Sequence, residues 1–462
     1  MLTESCAEAY FRLVKDDFKM KLYDVIVVGG GMSGVSAAVC AARKGLKVLL
    51  IEQNAMLGGM GTSGLITMVM TSRRYFYGFG KELIDTLIEK GSARYIENPA
   101  VKGYNYYPFD AEGMKRELDS LILKNQVDLL LYTKVIGVKK ENNEIRELIL
   151  SALEEVFTVS AKTYIDASGD ATLSRMCGEE VLVGDESQNM QAPTMMAYYA
   201  GIDFDKYEQF LATFEGKGRP AKIEMIHTLV PKAVSEGVLS ECDFHHPGVF
   251  RIHEGYDIGV MNVGHVYGAD CSTSRGLTEA VIRGRRMAEE YLNFYRKYIP
   301  GFENAYMTNT GSALAIRESY RVVGEYVTTF DDKVSYHKFE DAIMRFDGGA
   351  VSDVHASSSD RKAYEQYASL FANRESVNMD DYATLPYRSM RLQSTKNLLV
   401  AGRCLSADRK VLGQIRIMGY CFMMGEAAGL ASYLAVRDGV AFDGVNVTEL
   451  QGELLKNGVE TI

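Results

Sequence analysis

The chain has 462 residues, 47% of them apolar and 24% charged, and a net charge of −10 at neutral pH. That length exceeds what one compact core holds and predicts two domains, or three at most. The acidic balance and the lack of a polybasic run exclude a nucleic-acid partner gripped through its phosphates, and with it an activity on folded RNA.

Residues 1–19 are charged throughout and have no apolar core of a secretory signal. They read either as a short amphipathic extension or as a product of start-codon choice, because Met20 and the residues after it would themselves open a chain. The most apolar stretch, 25–51, is broken by glycines and by Arg43, Lys44 and Lys47, so neither a membrane partner nor a span is expected, and the expected location is cytoplasmic. Seven cysteines stand singly with no Cys-x-x-Cys, which predicts reduced thiols and gives no basis for an iron–sulfur cluster, a zinc site or a redox disulfide.

Residues 23–52 read as a strand, a glycine turn, a helix and a second strand ending on an acid. Gly29, Gly31 and Gly34 stand in G-x-G-x-x-G order where an apolar strand at 25–28 turns into a helix. The first glycine permits the turn, the second lets backbone approach a pyrophosphate, and the third lets helix and strand pack closely. Gly45 closes the helix, residues 47–51 make the second strand, and Glu52 is placed to accept hydrogen bonds from a ribose.

A glycine-dense loop follows at 57–64, then a predicted helix at 81–90, an aromatic loop at 104–109 and a helix at 111–124. Alternation at 129–138, 144–151 and 156–160 predicts a small antiparallel meander. A strand at 163–167 then leads into Ser168-Gly169-Asp170. The region of about 185–385 is rich in tyrosine and methionine, holds all seven histidines, and reads as a substrate or cap domain. Parallel-sheet grammar returns at 397–403, and a last helix at 420–436 carries Gly425 and Gly429, a smooth face for close packing.

Four segments, at 27–64, 166–178, 316–327 and 385–436, resemble the glutathione-reductase-like FAD proteins, and within them the broad FAD-dependent oxidoreductase family, which includes relatives of the heterodisulfide reductase flavin subunit. The resemblance implies an α/β fold: a Rossmann FAD-binding domain, with a parallel sheet and a small antiparallel meander, carrying an inserted α+β cap. The implied boundaries are 20–184 and 386–440 for the FAD domain, 185–385 for the cap and 441–462 for a tail. It implies FAD as cofactor, its ADP half on Gly29, Gly31, Gly34 and Glu52 with Met32 and Ser33 at the helix start, and Val135 at the adenine. Gly59, Met60 and Asp170 would lie along the ribityl chain, and Gly402, Arg403 and Gly425 with the 415–425 turn near the flavin. Residues 418–422, Met-Gly-Tyr-Cys-Phe, depart from the small or aliphatic run common in the family, so no substrate is carried across. A long dinucleotide also accounts for the second strand–loop–helix unit near the C-terminal end, and the helix N-terminus before Tyr420 would suit a reduced flavin's negative charge.

No second G-x-G-x-x-G occurs, so a separate nicotinamide domain and a thiol relay are not expected. His265 is the leading proton-transfer candidate, its competing reading being a hydrogen-bonded structural histidine on a strand; His253 and Tyr256 are weaker candidates. His245 and His246 read as an exposed loop, and the histidines show no metal-ligand spacing. Arg317 and Arg321, four apart, read as one helix face with Glu318 and Glu325 as ion-pair partners; Arg388, Arg403 and Arg416 fall in segments assigned to the flavin. Arg416 is taken as catalytic, and Tyr387 either stacks on a ligand or fills a junction. Such arginines suit a small anionic or polyhydroxylated substrate, and a homodimer is compatible. Two functions remain: hydride transfer between flavin and a small polar molecule, or a flavin subunit passing electrons between protein partners.

Overall fold

The computed structural model describes residues 22–72, 75–97, 104–214, 221–244, 248–253, 255–349, 352–360, 362–366 and 381–461; the expected extension at 1–19 and the His245-His246 loop lie outside them. The first unit forms as expected: β1 (Leu22–Val28), α1 (Met32–Arg43) and β2 (Val48–Ile51), with Val28 opposite Ile51 in a parallel pair. Gly29 turns at φ +102°, and a Cβ there would meet the Ala167 carbonyl oxygen at 2.5 Å, so only glycine fits.

Next come β3 (Met68–Ser72), α2 (Gly78–Glu89), β4 (Ile96–Glu97), β5 (Tyr104–Pro108) and α3 (Ala111–Lys124), capped by the Asp110 carboxylate. The expected aromatic loop is therefore a strand, because β5 pairs on both sides with β3 and β4, partners that local sequence does not reveal. β6 (Asp128–Leu130), β7 (Lys134–Glu141), β8 (Glu144–Ser151) and β9 (Val156–Asp166) follow, then α4 (Thr172–Met176). The single strand expected at 129–138 is two, split where Tyr132 takes a left-handed φ of +52°. The two strands expected at 156–160 and 163–167 are one, β9, whose first residues complete the β7–β8 meander and whose last residues pair parallel with β1.

The inserted region holds β10 (Val181–Val183), β11 (Ala197–Ala200), α5 (Phe204–Ala212), α6 (Ala221–Ser235), β12 (Gly248–Arg251), β13 (Gly259–Asn262), α7 (Ser274–Tyr298), β14 (Tyr306–Thr310) and β15 (Tyr320–Val322). An antiparallel sheet ordered β12-β13-β11-β14 packs under α7, whose Ala288, Tyr291, Leu292 and Tyr295 recur at helical spacing in a core separate from that of the main sheet. The reading of Arg317 and Arg321 as one helix face is overturned. Arg321 lies in β15, held extended by pairing with β10, and Arg317 lies in the loop before it.

α8 (Phe330–Val334), β16 (Ala342–Asp347) and β17 (Tyr382–Pro386) lead back, and the buried residues of the β16–β17 hairpin join the core of the main sheet. Buried residues of β16 and β17 thus share a core with the main sheet, whereas those of β11, β13 and α7 form a separate one. β18 (Leu398–Val400) then adds parallel to β9, and α9 (Arg409–Ile415), α10 (Met418–Asp438) and α11 (Val447–Lys456) complete the fold. The parallel order is β6-β2-β1-β9-β18, the α/β arrangement expected. α10 crosses α1 at contact: a Cβ on Gly425 would meet the Ser33 carbonyl oxygen at 2.1 Å, and one on Gly429 that of Ala37 at 2.5 Å.

Candidate functional site

The C-terminal ends of β1, β2, β9 and β18 reach one edge of the sheet, which is where crevices open in parallel sheets. A single cavity of about 1670 Å³ runs from that edge to the inserted region. It exceeds the roughly 300–1,000 Å³ of pockets for one drug-sized ligand and has room for a long dinucleotide together with a second molecule.

Backbone builds the near end. Gly31 caps α1 with no side-chain bond, no acid stands in the first turn, and a Cβ on Gly31 would have nothing within 4 Å, so the helix N-terminus faces open space. An anion fits there. Glu52, 6% exposed, orders the next turn by accepting from the Gly30 N–H at 2.7 Å and the Asn54 N–H at 2.8 Å. Beyond it the Gly58–Gly61 turn and the start of β7 at Val135 form the floor.

On the β9 side, buried Asp166 accepts from the Ser168 hydroxyl at 2.6 Å and from the Ser174 hydroxyl at 2.8 Å, shaping the loop that presents Asp170. Arg403 donates to Asp170 at 2.7 Å and to the Ser319 hydroxyl at 2.8 Å, so two residues singled out separately in the sequence form one ion pair on the cavity wall. α10 begins at the same wall, where Ile417, Met418 and Cys421 line the cavity and no side chain caps the helix. Burial pushes the Cys421 thiol up to about 11, which leaves it protonated at neutral pH.

Side chains build the far end. His265, 1% exposed, follows β13 and places Nδ1 2.8 Å from Asp243 Oδ2 and Nε2 2.8 Å from His355 Nδ1. Asp243, fully buried, also accepts from the backbone N–H groups of Gly264 and His265 and from the Tyr267 hydroxyl at 2.8 Å. His355 Nε2 lies 3.2 Å from Asp353, and Arg416 donates to the same carboxylate at 2.8 Å. Arg317, 6% exposed, is fixed by the Ala192 carbonyl at 2.6 Å and the Thr194 hydroxyl at 2.9 Å.

Burial works against the Asp353 charge, yet His355 and Arg416 outweigh it and hold the carboxyl well below the usual range. Burial, and then Arg317, push His355 well below the ordinary histidine value. The Tyr267 hydroxyl is raised by burial and by Asp243 and keeps its proton.

Of the residues singled out in the sequence, Gly29, Gly31, Met32, Ser33, Glu52, Gly59, Met60, Val135, Asp170, His265, Arg317, Gly402, Arg403 and Arg416 line this cavity. Gly34 and Gly425 lie behind the wall as packing contacts; a Cβ on Gly34 would meet the Gly29 carbonyl oxygen at 1.8 Å. His253 stands away from the cavity lining, edge-on to Tyr256. Arg388 pairs with Asp341 at the surface, Arg321 pairs with buried Glu318, and Tyr387 is buried, donating to the Phe442 carbonyl. The expected Glu325 partner pairs instead with Arg391. Asp243, Asp353 and His355 were not legible as site residues. Only the folded chain brings 243, 265 and 355 into one row.

The model of the family described as FAD dependent oxidoreductase matches residues 24–454. The digeranylgeranylglycerophospholipid reductase of Thermoplasma acidophilum is 24% identical over 221 residues, 43% of this chain and 52% of that protein. The thiamine thiazole synthase of Methanococcus vannielii is 30% identical over 170 residues, 34% of this chain and 61% of that protein. The chain spans about half the length of the first of these relatives. A solved geranylgeranyl bacteriochlorophyll reductase-like protein from Thermoplasma acidophilum is similar with a TM-score of 0.48 and 14% identity, over 95% of this chain and 84% of that one. Among the described residues no helix is long and apolar enough to cross a membrane. The chain belongs to the FAD dependent oxidoreductase family, and its cofactor is FAD.

Proposed function

We propose, with membership of the FAD dependent oxidoreductase family as premise, that the protein transfers a hydride between FAD and a small polar organic substrate held at the far end of the cavity. The observation that carries this reading is the single cavity joining a helix N-terminus built for an anion to a buried cluster of two histidines and two arginines. FAD, when bound, supplies two-electron chemistry at its flavin ring.

The first-turn N–H groups after Gly31 would hold the pyrophosphate, Glu52 the ribose, Val135 the adenine, and Gly59, Met60 and the Asp170–Arg403 pair the chain between. Gly402 and the N-terminus of α10 would face the flavin ring. Gly34 and Gly425 serve the fit at one remove, by closing α1 onto β1 and α10 onto α1.

At the far end, the guanidinium groups of Arg317 and Arg416 line the cavity and suit a carboxylate or hydroxyl on the substrate. Met68, Met70 and Leu314 add apolar surface to the lining of the same cavity. His265, oriented by Asp243, lets the row of side chains give or take the proton that accompanies a hydride.

The test is anaerobic: the flavin spectrum of the FAD-loaded protein is followed with NADH, NADPH, and panels of hydroxy acids, amino acids and unsaturated carboxylates. A small molecule that bleaches or restores the flavin is expected, and His265→Ala should slow that step about 10²–10⁴-fold at unchanged FAD content. Flavin that responds to no small molecule, and exchanges electrons only with an iron–sulfur protein, would replace this reading with that of an electron-transfer subunit.

A further inference from the structure

Asp243, His265, His355 and Asp353 stand in a row with gaps of 2.8, 2.8 and 3.2 Å. The planes of the two imidazoles differ by 24°, so their nitrogens meet edge to edge, as in a ring-to-ring hydrogen bond. Each gap is bounded by two atoms that are bare acceptors without a proton, so each gap needs one. Two neutral imidazoles bring only two ring protons. Whichever way these are placed, one gap then sets lone pair against lone pair, a costly arrangement for polar groups this far buried.

The carboxylates do not supply the third proton. Asp243 already accepts two backbone N–H groups and the Tyr267 hydroxyl, and Asp353 is bound by Arg416, so both are solvated as anions. Among the described residues, Tyr267 donates to Asp243, Arg317 and Arg416 stand beside His355 and Asp353, and Tyr364 and Glu365 line the same cavity. Arg317 beside His355 disfavours a second charge on that ring, whereas His265 faces the Asp243 anion.

We infer that the row holds three ring protons: His265 is an imidazolium stored against Asp243, and His355, the outer ring, is the catalytic residue that passes this proton to the substrate. The inference rests on the hydride-transfer reading only for what the proton is used for. In the reducing direction the Nε2 proton of His265 moves to Nδ1 of His355, and the Nε2 proton of His355 moves to the substrate atom that holds the new electron pair. No electron crosses the row. It falls from three ring protons to two, and the exposed lone-pair contact draws the next proton in. His265 is then a positioning residue and reservoir.

The experiment is nitrogen-15 NMR of histidine-labelled, FAD-loaded protein at pH 7.5, with the rings assigned through His265→Asn and His355→Asn. The expected count is two protonated ring nitrogens on His265 and one on His355. Asp243→Asn should remove the second proton from His265 and Asp243→Glu should restore it. His355→Asn should keep its FAD and slow the proton-coupled flavin step about 10²-fold or more, with loss of the solvent isotope effect. Two singly protonated rings in the wild-type protein, or an isotope effect unmoved in His355→Asn, would overturn the inference. The wild-type proton count needs no substrate, so it decides this point even if no small molecule reacts with the flavin.

Discussion

The two ends of the cavity are made of different material. The near end is backbone: glycines without Cβ atoms, a helix terminus, strand ends in register. The far end is side chains, delivered by the loop after α6, the turn after β13, the loop before β15, the segment at 352–360 and the junction of α9 and α10. Backbone geometry is set over a few residues and fails abruptly when a side chain intrudes. A side-chain cluster is set by the whole fold, and its members can be removed singly while the fold persists.

Glycine substitutions should break the contrast most severely. Gly34→Ala drives a Cβ onto the Gly29 carbonyl, backbone against backbone, and is expected to cost about 4 kcal/mol or more and to abolish FAD retention. Gly31→Ala meets nothing within 4 Å, so it should melt within a few degrees of wild type yet lose FAD affinity, because its methyl fills the anion's place. Melting curves with flavin absorbance read both; equal FAD retention in the two variants would show that the near end is not rigid.

Support of the far end should give an intermediate effect. Lys333, fully buried, donates to the Gly349 carbonyl at 2.6 Å, ahead of the segment that carries Asp353 and His355. Burial, opposed in part by Asp347, brings its ammonium down to about 8. The folded protein therefore releases this proton at lower pH than the unfolded chain does. Stability from this group rises with pH from about 8 to the ordinary lysine value near 10.4, and its penalty is fully present below about 8. Denaturation at pH 8 and 9.5 should show wild type gaining about 2 kcal/mol relative to Lys333→Met; parallel curves would place the charge in solvent.

The smallest effect belongs to an arginine outside both ends. Arg388 is 45% exposed at its side chain and pairs with Asp341, so Arg388→Ala should cost at most about 1 kcal/mol and leave flavin reduction rates unchanged. A large rate loss would extend the far end beyond the cavity drawn above.

Legibility in the sequence followed the same division. The Gly29–Gly34 turn, Glu52 and the Gly425–Gly429 face were readable because strand, helix and packing periods are local. Arg317 and Arg321 misled because spacing of four is only a helix signal when the backbone is helical, and pairing of β15 with β10 kept it extended. The aromatic stretch of β5 looked like a loop for a similar reason, its partners being β3 and β4. His265 was legible as a titratable group beside glycines. Its partners were not, since Asp243 and His355 lie 22 and 90 positions away and nothing local ties an acid at one to an imidazole at the other.

β9 has one further bearing, on the order of events during synthesis. Its neighbour on one side, β1, emerges long before it, but its neighbour on the other, β18, is made more than two hundred residues later. Until then one edge of the parallel sheet is open and α10 is not there to clamp α1, so the nascent chain presents an unpaired strand edge and an unfinished cofactor crevice. The crevice for the cofactor is therefore complete only once the last third of the sheet-forming chain has been made.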